Sequence, residues 1–379
     1  MDENIVLSPA TAALAEKARP RLLSPEYGGQ RKVSLGLLSP STTSCSSSSS
    51  SQQPSPSPRD PATEMVIIPT RLDSIFAYQF LGFTEETARQ LRNAIGIDDI
   101  HDDWNDAMKR AGIKDDVRRP MLKPEHSAIL YTQPLSTWLL EIIDTFYEAL
   151  DDLEDNVLLS LGEPTAQLRG GADDEEEEEY TVPQTPGGHL AVFKSVDGRR
   201  TNRYIKEDGA LNLEPLESIG PTDFARCGGL YFTHQIWVAK AYSRLINDAC
   251  NVADRRTMEL HVPLSHFEEI KTWELKFGNE WKRLVWYCRR QQLLPEEVRK
   301  QKSQHGCIQG PIAHSHNATI VKLRSWEYMA WKHVVTKELD EDGKTETRVA
   351  VQRAWIEDEA IAALEEAVVG KAYVRLPEA

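Results

Sequence analysis

The sequence predicts an α+β protein with an all-α N-terminal domain, a C-terminal domain mixing strands with helices, and a disordered N-terminal tail. Three observations carry this. Leu135, Leu139, Ile142, Phe146, Leu150 and Leu153 recur every three or four residues, which lays one apolar face along a long helix. Past residue 188, short runs rich in Val, Ile and aromatic residues are scattered among helical patterns with few βαβ units, which argues against a doubly wound sheet. The segments before and between these regions are Ser/Pro-rich or acidic and offer little to bury.

Residues 1–62 form the expected tail. "SCSSSSSSQQPSPSP" has almost no aromatic side chains to offset its ordering entropy. "LSP" occurs three times, at Ser8, Ser24 and Ser39, followed by Ser55-Pro56 and Ser57-Pro58. These are either sites for proline-directed kinases or a consequence of composition. Order is expected from Met65, with Phe76, Phe80 and Phe83 ahead of a helix start at Thr84, where Glu85 and Glu86 suit the helix dipole. Residues 65–165 then read as an acidic helical domain, the part expected to meet any protein partner. Residues 166–187, with seven consecutive acids in "DDEEEEE", read as a linker because like charges repel and the flanking Gly and Pro oppose regular structure.

The C-terminal domain is expected over 188–360, with 361–379 as a final helix or tail. Strand candidates are "HLAVF" (189–193), "MELHVPL" (258–264), "CIQGPIA" (307–313) and "RVAVQRAWI" (348–356). Helix candidates are 234–250 and 279–292, the second with Trp281, Leu284, Val285 and Cys288 on one face. Between the first strand and the first of these helices stands "DFARCGGLYFTHQIWVAKAYSRL". Gly228 and Gly229 permit positive φ or close approach of another backbone, "LYFT" is a short strand with Tyr231 facing away from Leu230 and Phe232, and the helix after it should bury Trp237, Ala241, Leu245 and Ala249. From spacing alone Tyr231 is either a stacking platform for a flat ring or a core residue.

Charge narrows the classes of function. The net charge is −15, and from Thr185 onward 28 basic residues face 27 acidic ones, so the first 184 residues hold 16 basic and 32 acidic groups. Such a half repels nucleic acid and anionic lipid. The near-neutral remainder still accepts an anionic small molecule. Five cysteines, odd in number and without a CxxC pair, suit a reducing compartment. An acidic start and no apolar run of about 18 residues point to a cytoplasmic or nuclear protein that is not membrane-bound.

The blocks "PTDFARCGGLYFTHQIWVAKAY", "ELHVPL", "NEWKRLVWYCRR" and "GCIQGPIA" resemble, in this order, a group of uncharacterised fungal proteins whose C-terminal region is similar to the ADP-ribosyltransferase fold. A related bacterial domain of unknown function shows a comparable succession. The similarity covers about residues 188–335, and "DDWNDAMKRAGI" matches a block in the helical N-terminal region of the fungal relatives. The resemblance implies a split, clamp-like β fold that binds NAD between two small sheets. It implies that Tyr231 stacks on the nicotinamide, that Gly229 borders the cofactor, and that Lys194, in the place of a first-strand histidine, holds the nucleotide. A carboxylate to stabilise the sugar cation is missing around "GCIQGPIAHSH", with Glu280 the substitute to weigh against simple helix capping. The activity implied is ADP-ribose transfer from NAD; the alternative is a degenerate fold kept as an interaction module.

Other constellations are weaker. His305, His314, His316 and Cys307 match no metal site with a second ligand pair, so no metal is expected. Lys282-Arg283 and Arg289-Arg290 read as a solvated helix face or a pyrophosphate contact. Walker, GxSxG and HExxH motifs are lacking, which removes support from common kinase and hydrolase readings.

Overall fold

The computed structural model describes residues 5–18, 21–38, 64–71, 74–85, 103–161, 182–218, 221–314, 320, 322–341 and 344–375. Helix α1 (Pro9–Ala18) buries Thr11, Ala12 and Ala15. Strand β1 (Gln30–Ser34) pairs antiparallel with β2 (Met65–Pro69), with Val33 opposite Val66. These elements correct the expected tail over residues 5–18 and 21–38, and the ribbon corrects the all-α expectation. The reason lies in the "LSP" repeats: Leu7, Leu23 and Leu38 are 5%, 0% and 0% exposed and join Val33 and Ile68 in the core. A Ser/Pro-rich average concealed apolar side chains at the spacing a helix and a ribbon need. Residues 39–63, with the long serine run, lie outside the described residues.

Helix α2 (Trp104–Arg110) starts at Asp103, whose carboxylate accepts from the Asp106 amide at 3.0 Å. Helix α3 (Asp115–Met121) follows, and then α4 (Leu135–Asp151), which buries Leu135, Leu139, Ile142, Phe146 and Leu150 as the spacing predicts. Helix α5 (Leu153–Leu161) continues nearly directly and packs against α1. The helix start at Thr84 runs into residues 86–102, and most of the acidic linker occupies 162–181, both outside the described residues.

Two sheets make up the C-terminal part. Strand β3 (His189–Asp197) is the edge of a three-stranded antiparallel sheet completed by β5 (Arg255–Pro263) and β11 (Ala372–Arg375). The four-stranded sheet runs β4 (Leu230–Phe232), β10 (Val351–Trp355), β7 (Cys307–Pro311) and β6 (Thr272–Glu274), with only the β6–β7 pair parallel. A hairpin of β8 (Thr336–Glu341) and β9 (Lys344–Val349) stands apart, so the expected strand over 348–356 is broken at Ala350. Helix α6 (Ile236–Ala249) lies against β3 and β5, and α7 (Asn279–Arg289) carries Trp281, Leu284, Val285 and Cys288 into the core as expected. The apolar face of α6 is turned from the one expected: Val238, Ala239, Leu245, Ile246 and Ala249 are buried, whereas Trp237 and Ala241 are only partly so.

That face explains a further departure. Val238, Leu245, Ile246 and Ile312 share one hydrophobic cluster with Trp138, Leu139 and Ile142 of α4, so the N- and C-terminal parts are not separate cores. Helix α8 (Asp358–Ala367) and β11 also belong to the body: Leu364 and Val368 are fully buried, and β11 pairs with β5. The expected boundary at 360 therefore cuts a helix in two.

Candidate functional site

The two sheets touch where the Phe193 amide donates to the Thr233 carbonyl at 2.6 Å and the Thr233 amide donates back at 2.9 Å. Beyond this bridge they separate. Alternate residues of a strand turn their backbone groups to the same edge, so Ser195 presents its amide and carbonyl on the side where Phe193 met Thr233. A cavity of about 530 Å³ opens there, walled by β3, by the segment entering β4 and by α4. This is the size of an ordinary small-molecule site.

Lys194 and Tyr231 both line this cavity. The Lys194 ammonium donates to the Tyr231 carbonyl at 3.2 Å and lies 6.0 Å from the Phe232 ring centroid. Burial dominates its titration and lowers its pKa from 10.5 to about 8; the charge of Glu141 resists the shift. The Tyr231 ring stacks on Phe224 at 6.3 Å, and its hydroxyl accepts from the Phe224 amide at 3.2 Å and pairs with the Thr222 hydroxyl at 2.6 Å. Burial pushes the phenol's pKa well up, so it stays neutral.

Gly229 does not line the cavity. With φ at +148°, a Cβ there would lie 2.9 Å from Ile356 Cδ1, and at Gly228, φ +96°, a Cβ would lie 2.5 Å from the Ser218 carbonyl oxygen. The glycine pair thus serves a close backbone approach, sealed by the Ser218 amide donating to the Gly229 carbonyl at 2.9 Å. Glu280 is exposed on the first turn of α7 and is also outside the cavity lining.

Carboxylates reach the cavity from α4, from Asp197 at the end of β3, and from Glu217 and Asp223 ahead of β4. Glu141, Asp144 and Glu148 form a polar stripe opposite the buried leucines, and Glu141 pairs with Arg255 at 3.1 Å while Glu148 pairs with Arg200 at 3.3 Å. Burial raises the pKa of Asp144 and of Glu148, with the neighbouring arginines opposing it. Arg289, read from sequence as part of a polar face, is in fact buried: it pairs with buried Asp223 at 2.6 Å and donates to the Thr132 carbonyl at 2.7 Å. Asp223 also accepts from the Ala313 amide at 2.8 Å and from Gln352 at 2.6 Å, which ties the segment after β7 to β10 and α7. Sequence reasoning missed Arg255, Arg200 and the α4 acids because each looked like an ordinary solvated charge. The three-residue and four-residue spacing of Glu141, Asp144 and Glu148 was the available signal.

The histidines do not converge. His305 bonds the Gln301 carbonyl and stacks on Trp273, His314 meets the Ser127 and Lys332 carbonyls, and His316 lies outside the described residues. Glu125, His126 and Asp248 do cluster, but the Lys123 ammonium already lies 2.7 Å from the same Asp248 oxygen that His126 meets at 3.0 Å. No helix among the described residues is long and apolar enough to cross a membrane. Comparison with family models, curated proteins and solved structures found no match to this chain.

Proposed function

We propose that the cleft between the two sheets binds a nicotinamide dinucleotide, as an ADP-ribosyltransferase-like module that holds NAD without transferring ADP-ribose. The observation that supports it is the meeting of Lys194 and Tyr231, from strands distant in sequence, on one cavity wall. In this reading the outward amide and carbonyl of Ser195 pair with a carboxamide, the free face of Tyr231 receives the flat ring, and the Lys194 ammonium takes a phosphate or ribose oxygen. Glu280 cannot supply the acid for transfer, since a carboxylate outside the cavity cannot stabilise a sugar cation within it, and Glu141, Glu148 and Asp223, which do line it, are held in ion pairs with Arg255, Arg200 and Arg289. A second reading, an interaction module with no nucleotide, draws on the ion pairs Arg255–Glu141 and Arg200–Glu148, which already satisfy cations that a pyrophosphate would seek.

Because α4 walls the cavity, the test needs the full chain. Thermal unfolding with and without about 1 mM NAD should show a raised melting temperature, since a ligand bound only to the folded state stabilises it. Lys194→Met should weaken the response, and free nicotinamide should not accumulate. An unshifted melting temperature would favour the interaction module; steady nicotinamide release would refute the non-catalytic assignment.

A further inference from the structure

The "LSP" repeats are not absorbed by the cavity. In two of them, Ser8 and Ser24, the serine has a defined environment, and the two environments differ in charge. The Ser24 hydroxyl accepts from the Lys32 amide at 2.8 Å on an exposed edge of the β1 ribbon, with the basic Lys32 side chain exposed nearby. Ser8 instead starts α1 against a carboxylate. Glu154 of α5 accepts from the Ser8 amide at 3.1 Å and from the Thr11 hydroxyl at 2.7 Å, while the Ser8 hydroxyl donates to Thr11 Oγ1 at 2.9 Å and accepts from the Thr11 amide at 3.2 Å. Burial acts to raise the Glu154 pKa, but the bonds from Ser8 and Thr11 outweigh it and hold the carboxyl below its usual range, so it is charged.

We propose that Ser8 is a phosphorylation site for a proline-directed protein kinase, and that its phosphate undocks α1 from α5 by confronting Glu154. The Ser8 oxygen attacks the γ-phosphorus of kinase-bound ATP, its proton passes to the kinase's base, and ADP leaves. A phosphate at a helix N-terminus ordinarily stabilises the helix. Here that place is held by Glu154, which already takes the Ser8 amide and the Thr11 hydroxyl. Phosphorylation removes the hydroxyl proton that Ser8 gives Thr11 and adds close to two negative charges beside the carboxylate. Leu7, buried next door, is withdrawn with α1. Kinase access uses the same opening, since a short helix held mainly by one neighbouring helix samples local unfolding readily.

The test takes the full chain with alanine at Ser24, Ser39, Ser55 and Ser57, a proline-directed serine kinase and ATP. Peptide mass analysis should find phosphate on Ser8, and hydrogen exchange of residues 9–18 should then speed up by about tenfold or more. In Glu154→Gln the same phosphate should leave that exchange nearly unchanged, because the opposing charge is gone; Glu154→Ser is the second variant should the amide perturb packing. Failure to label Ser8 when the unfolded chain is labelled overturns the site. Labelling without faster exchange, or with equal acceleration in both Glu154 variants, overturns the mechanism.

Discussion

Replacing Lys194 by methionine should make the protein more stable at neutral pH and remove a specific pH dependence. A fall in pKa from 10.5 to about 8 corresponds, at about 1.4 kcal/mol per pH unit, to a cost of about 3 kcal/mol for holding this ammonium in the fold. Water in the cavity screens part of that charge, and methionine loses the hydrogen bond to the Tyr231 carbonyl, worth about 1 kcal/mol. The net gain at about pH 7 is therefore about 1 to 2 kcal/mol. The sign with pH follows from the direction of the shift. Below about 8 the lysine is charged in both states and the cost is fully present; between 8 and 10.5 the unfolded chain binds more protons than the folded one, so wild-type stability rises relative to the variant. Urea unfolding of both proteins from about pH 7 to 10, with m-values checked for equality, reads this difference. A stability gap that stays flat over that range would refute the buried, desolvated placement of Lys194.

Leu284→Ala, at a fully buried position on α7, should cost about 2 to 5 kcal/mol in the same unfolding assay, and a loss below half a kcal/mol would contradict its packing. Gly228→Ala meets both a positive φ and the Ser218 carbonyl, and should cost about 2 kcal/mol or more, with a near-neutral result disproving the close approach. Cys250, Cys288 and Cys307 are buried, with thiols pushed up to about 12, so brief alkylation of native protein should spare them and modify exposed Cys227, as peptide mapping would show. NAD-induced stabilisation should fade as pH rises through about 8, where Lys194 loses its charge; persistence to pH 10 would show that the ammonium takes no part.

Periodicity by itself determined the local elements. The apolar spacing of Leu135 through Leu150 yields α4, the face of Trp281 and Leu284 yields α7, and the β-branched runs at 189 and 258 yield β3 and β5, because a side chain's direction along a helix or strand depends only on its immediate neighbours. The need for glycine at 228 and 229 was legible for the same reason, although what approaches them was not. Composition misled over residues 5–38: an average over serine and proline cannot register Leu7, Leu23 and Leu38, whose burial depends on α5 and β2 arriving from elsewhere in the chain. The site was legible in part. Lys194 was named only through the family resemblance and Tyr231 only as a stacking or core residue, while that they border one cavity, that α4 closes it with Glu141 and Glu148, and that Glu280 and Gly229 stay outside were decided by tertiary packing. Local sequence sets which face of an element is apolar; which partner covers that face, and which charges it brings along, follows only from the folding of segments more than a hundred residues apart, such as Arg255 and Glu141.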